Sequence, residues 1–99
     1  MEKQFAGLSE KVLNAIVSEA KKYGIKELRL FGSRARGDYD EKSDIDLAAY
    51  SGRIEEFKLD IEEEVPTLLM FDVVDMVRST SKELKEIVDK EGIVIYEEV

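Results

Sequence analysis

Residues 28–50 read LRLFGSRARGDYDEKSDIDLAAY, and the interpretation of this stretch decides the fold. Leu28, Leu30 and Phe31 form a short apolar run with strand-like alternation, broken at Gly32-Ser33. Ten residues later Asp44-Ile45-Asp46 opens a second apolar run, Leu47-Ala48-Ala49-Tyr50. Side chains alternate across a strand, so two aspartates one residue apart point to the same face. Two strands this close, joined by a polar connection, predict a sheet. Everything else in the chain has to pack around it.

Working outward, residues 8–23 are predicted to form a helix. Ser9 is its N-cap, Leu13, Ile16, Val17 and Ala20 form one apolar stripe, and Lys21 and Lys22 lie in the last turn, where cations suit the helix dipole. Gly24 ends it, and residues 25–31 form the first strand. Residues 33–37 are read as a short helical turn carrying Arg34 and Arg36, residues 38–43 as a loop, and residues 44–50 as the second strand. Beyond Ser51-Gly52, Ile54, Phe57, Ile61 and Val65 approach helical spacing up to Pro66. The third strand is placed at residues 71–77. A helix then opens on a capping box, Thr80 with Glu83, and turns Leu84, Ile87 and Val88 inward. After Gly92, residues 93–96 form a fourth, edge strand. The expected fold class is α/β (α+β): one domain over residues 1–99, with a small mixed sheet of about four strands in the order α-β-β-α-β-α-β.

Composition narrows the chemistry. With no cysteine and no histidine, thiolate sites, cysteine nucleophiles and the commonest general base are excluded, so any metal must sit on oxygen. That suits magnesium or manganese. The net charge of −8 argues against autonomous nucleic-acid binding but leaves room for a nucleotide carried with magnesium. No apolar run approaches a membrane span, and the first residues lack a signal-peptide core. A cytoplasmic protein is expected.

Asp44 and Asp46 are the first candidate site residues. In a chain this acidic they could be two solvated carboxylates, but they open a strand whose next residues are apolar. An ionised carboxylate there is costly unless paired or metal-bound. Gly32 permits close approach of backbone to a phosphate, and Ser33 adds a donor, although an ordinary strand-ending turn looks the same. Carboxylates facing such a donor group suit metal-assisted phosphoryl or nucleotidyl transfer. Arg34 and Arg36 lie next door as surface cations or phosphate ligands.

Gly32-Ser33, ten residues, then Asp44-Ile45-Asp46 resembles the signature of the DNA polymerase beta nucleotidyltransferase superfamily. The whole string is similar to that of its minimal nucleotidyltransferases, small domains that often act as antitoxins beside a HEPN-domain toxin. The resemblance implies a polymerase beta-like palm fold and two magnesium ions (manganese being possible) held by Asp44, Asp46 and a third carboxylate from a later strand. Asp72 and Asp75 compete for that place; Asp75 fits the family pattern of apolar residues around it, with Asp72 as the alternative. By the same resemblance Gly32 and Ser33 hold nucleotide phosphates, with Arg36 the better triphosphate ligand and Arg34 the second. The implied reaction moves AMP from ATP to a hydroxyl on a partner protein such as a HEPN toxin. A homodimer is possible for so small a core. Two other classes remain open: an antitoxin that masks its partner without catalysis, and a sensor that binds Mg-nucleotide without turnover.

Overall fold

The computed structural model describes residues 4–78 and 81–98. It begins with a hairpin absent from the expected order, β1 (Gln4–Phe5) paired antiparallel with β2 (Leu8–Ser9). Helix α1 (Glu10–Lys22) follows, capped as expected by the Ser9 hydroxyl, which accepts from the Val12 amide at 3.2 Å. Its first two turns hold Glu10 and the buried Val12, and its last turn holds Lys21 and Lys22. Val12, Ile16 and Ala20 are its buried positions.

Strand β3 (Glu27–Phe31) leads through the single turn of α2 (Ser33–Arg36) to β4 (Ile45–Tyr50). Helix α3 (Ile54–Glu64) then crosses to β5 (Phe71–Asp75), and α4 (Lys82–Glu91) returns the chain to β6 (Ile93–Glu97). Thr80 of the expected capping box lies outside the described residues. The cap seen is Ser81, whose hydroxyl accepts from the Leu84 amide at 3.1 Å. Of the three residues expected to turn inward on α4, Val88 is buried and Leu84 half-buried, whereas Ile87 is 43% exposed.

The sheet runs β5-β4-β3-β6, so β6 is an edge as expected. β3 pairs antiparallel with both β4 and β6, while β4 and β5 are parallel. Parallel neighbours need a long crossover, which α3 supplies. The two faces differ. Leu28, Leu30, Ile45, Leu47, Ala49 and Val73 meet α1 and α3 in the main core. Phe31, Ala48 and Met76 form a smaller cluster with Val88 of α4 on the opposite face. Asp46, between Ile45 and Leu47, therefore projects to the face of the smaller cluster.

Candidate active site

The site begins where β3 stops. Gly32 has φ of +76°, a conformation L side chains rarely adopt, and a Cβ there would lie 2.2 Å from Oδ2 of Asp46. The glycine thus lets the strand end lie directly against a carboxylate on the neighbouring strand. Ser33 opens α2, and its carbonyl accepts from the amides of Gly37 and Asp38 at 2.9 and 3.2 Å.

Asp44 is exposed just before β4, and Asp46 is half-buried within it. The parallel register sets Asp72 of β5 beside Asp46. Burial pushes the Asp46 carboxyl above its ordinary value; the nearby Asp72 and Asp44 carboxylates push it further, and Arg36 opposes them. The Asp72 and Asp44 carboxylates thus each lie within electrostatic reach of Asp46.

Asp75, expected to complete the group, does not join it. Its register partner is Ala49, a main-core residue, so Asp75 belongs to the opposite face. Alternation does place Asp75 on the face of Val73, as the sequence says; the pairing with β4 makes that the wrong face for Asp46. The Asp75 carboxylate instead accepts from the amides of Val77 and Arg78 at 2.9 and 3.1 Å, closing the turn after β5.

The two arginines part company. Arg34 is 2% exposed. Its guanidinium donates to the carbonyls of Ser43, Ala6 and Glu41 at 3.0, 2.9 and 3.4 Å, and the Tyr39 ring lies 5.0 Å away. All three nitrogens donate to backbone carbonyls and the side chain is buried, which gives Arg34 a structural role in place of the expected phosphate one. Arg36 is about half exposed and donates through Nε to Asp38 at 3.1 Å and through Nη1 to both oxygens of Glu91 at 3.3 Å. Glu91, the last residue of α4, was not foreseen; nothing local in a helix-ending Glu-Gly marks it, because its partner lies 55 residues away.

Two other features are separate from this face. Asp60, Glu63 and Glu64 bring carboxylate oxygens within 4.8 Å of one another. They sit on α3, across the sheet, where Asp60 is already held by Lys22 and Tyr23. A cavity of about 460 Å³, lined by Ser51, Arg53, Glu56, Asp75 and Arg78, opens beyond the C-terminal ends of β4 and β5, away from the strand starts that carry Asp46 and Asp72.

The Asp44, Asp46 and Asp72 group offers oxygen donors alone, with one arginine close enough to oppose the charge. A hard divalent cation suits that donor set. The glycine cradle at Gly32 leaves Asp46 open on the side where a side chain would otherwise stand.

The family model for polymerase beta nucleotidyltransferases matches residues 14–99. Among solved structures, a toxin–antitoxin with AMP-PNP is 23% identical at a TM-score of 0.70, over 87% of this chain and 73% of that one. The mutant toxin–antitoxin MntA-HpeT is 24% identical at a TM-score of 0.67, over 86% and 72%. A minimal nucleotidyltransferase is 28% identical at a TM-score of 0.62, over 82% and 86%. No curated protein sequence matches the chain. The toxin–antitoxin likenesses carry the fold.

Proposed function

Since the chain belongs to the polymerase beta nucleotidyltransferase family, we propose that it transfers a nucleoside monophosphate, AMP from ATP, to a hydroxyl on a partner protein, and so acts as an antitoxin. The observation that carries this reading is the register of β4 against β5, which sets Asp72 beside Asp46 at the end of the Gly32 turn. Asp44, Asp46 and Asp72 would hold two magnesium ions. Bound there, divalent cations supply charge neutralisation of the triphosphate and a lowered pKa for the attacking hydroxyl.

The residues of the chain have the remaining tasks. Gly32 and Ser33 bind the triphosphate through backbone amide and hydroxyl. Arg36 contributes a guanidinium whose fork suits phosphate oxygens, and Glu91 and Asp38 keep it at the rim. The acceptor oxygen bonds to the α-phosphorus as the α–β bridging P–O bond breaks, and pyrophosphate departs. The hydroxyl proton passes to a carboxylate oxygen of Asp72, the register partner of Asp46 on β5.

The partner half of the reading is supported by the likeness to toxin–antitoxin structures, one of them with AMP-PNP. A HEPN toxin is the partner class that the sequence resemblance implies. Among the described residues no helix is long and apolar enough to cross a membrane.

The test is label transfer. The protein is incubated with magnesium, a lysate of its host and ATP labelled at the α-phosphate, with γ-labelled ATP and Asp44→Asn/Asp46→Asn as controls. A labelled band seen only with α-label and the unsubstituted protein is expected, and its size identifies the acceptor. Mg-ATP binding without any band would replace transfer by sensing or by steric masking of the partner.

A further inference from the structure

Among the described residues, Arg34 is the charged side chain that is fully buried. Its three carbonyl acceptors come from two separate places. Ala6 belongs to the turn of the β1–β2 hairpin, whereas Glu41 and Ser43 belong to the loop that delivers Asp44. Within itself that loop is tied locally. The Asp40 amide donates to the Ser43 hydroxyl at 2.9 Å, the Lys42 amide to the Asp40 carboxylate at 2.8 Å, and the Ser43 amide to the Asp40 carbonyl at 3.2 Å. These bonds give the loop a shape but do not fasten it to the body of the protein. Asp38 at its start is held by the Ser33 carbonyl and by Arg36, and Arg34 holds its far half, next to Asp44.

The hairpin closes over the same group. Gly7 has φ of +73°, and a Cβ there would stand 2.5 Å from a ring carbon of Tyr39 and 2.9 Å from Nη1 of Arg34. The turn, the tyrosine ring and the guanidinium are therefore in direct contact. The hairpin lies outside residues 14–99, the part that the family model matches.

We infer that Arg34, held from one side by the Ala6-Gly7 turn, is a positioning residue that fixes the 38–43 loop and hence Asp44, making the N-terminal hairpin part of the support of the site. The inference rests on the nucleotidyl-transfer reading for its functional consequence. Groups that orient metal-binding carboxylates matter because a displaced ligand weakens every contact built on it.

The experiment compares Arg34→Lys and Gly7→Ala with Phe5→Ala, a hairpin control on an exposed side chain that lines a different groove. Two readouts are taken where each variant is folded: the dissociation constant for magnesium plus ATP by calorimetry, and amide hydrogen exchange over residues 40–45 without ligand. Expected for Arg34→Lys and Gly7→Ala are cooperative unfolding, an affinity loss of about tenfold or more, and faster exchange in the loop. Phe5→Ala should match the unsubstituted protein in both. Wild-type affinity and wild-type loop exchange in the folded variants would overturn the inference and leave Arg34 a core residue only, one that lowers the melting temperature without touching the site. If Arg34→Lys does not fold, Gly7→Ala, which keeps the guanidinium, decides. If the unsubstituted protein does not bind Mg-ATP, the nucleotidyl-transfer reading fails, and loop exchange still decides whether the hairpin positions Asp44.

Discussion

Two aspartates on β5, three residues apart, separate the reading of the site from its alternative. Asp72 stands beside Asp46 and is exposed; Asp75 pairs with Ala49 and ties off the turn to Val77 and Arg78. If Asp72 supplies the third carboxylate, Asp72→Asn removes a ligand and the proton acceptor together. Labelling of the acceptor should then fall by at least about two orders of magnitude, the scale on which positioned proton transfer acts. Asp75→Asn keeps an oxygen that can still accept from the same amides. It should leave labelling intact and cost about 0.5–1 kcal/mol of stability in urea unfolding, the scale of one exposed hydrogen bond. The reverse pattern, with Asp75→Asn silent in stability and inactive in labelling, would refute the assignment. Asn replaces Asp at nearly equal volume, so neither result is confounded by packing.

The helices α1 and α3 are joined by a clasp whose pH dependence has a definite sign. The Asp60 carboxylate of α3 accepts from the Tyr23 hydroxyl at 2.6 Å and from Nζ of Lys22 at 2.9 Å. These partners, Tyr23 foremost, hold its pKa down to about 2. A carboxyl lowered in the folded state contributes stability above its unfolded pKa and loses it as pH falls through the folded value. Glu19, raised by burial first and by Asp60 second, acts in the opposite sense, withholding stability at neutral pH and returning it on acidification. Asp60→Asn should therefore unfold at a lower temperature than the unsubstituted protein at neutral pH, and the gap should close as pH falls from about 4 toward 2. A gap that stays constant across that range would dismiss the clasp as a charged interaction. This clasp is a tertiary contact, 37 residues apart in sequence, and so belongs to what the sequence hides. What is legible is local. The Ser9 cap, the lysines ending α1 and the break at Gly32-Ser33 are decided within a few residues, so spacing and residue type suffice. The β1–β2 hairpin has two residues in each strand, too short for period-two alternation to register. Arg34 looks from the sequence like its neighbour Arg36, because burial depends on the carbonyls of Ala6, Glu41 and Ser43 converging in space. Alternation puts Asp75 on the face of Val73 correctly, yet it cannot say that Asp46 lies on the other face. Alternation fixes faces within one strand, but the phase between β4 and β5 is set across the α3 crossover.

At the scale of the whole molecule the dominant quantity is charge. The chain carries 23 acidic and 15 basic side chains and no histidine to titrate near neutrality. Self-repulsion spread over the surface is screened within about 8 Å at physiological salt. The repulsion at Asp44, Asp46 and Asp72 is more local, and partial burial of Asp46 shields it from salt. Because the Asp46 carboxyl is raised in the folded state, its ionisation opposes folding at neutral pH, and that opposition fades as pH falls through its folded pKa. Removing the charge should relieve the same repulsion, so Asp46→Asn without divalent cation should be at least as stable as the unsubstituted protein at neutral pH. Magnesium with ATP should reverse the order. A ligand that binds only the folded state at tenfold its dissociation constant adds about 1.4 kcal/mol. For a domain near 100 residues each such kilocalorie raises the melting temperature by about 4–8 °C. The unsubstituted protein should gain that shift and Asp46→Asn should not, while sodium chloride at matched ionic strength should move both alike. Equal shifts in the two proteins would mean that the cation acts through general screening of the −8 charge. In that case Asp46 would be excluded as a metal ligand, and the crossing of the two stability orders, which no surface effect produces, would be absent.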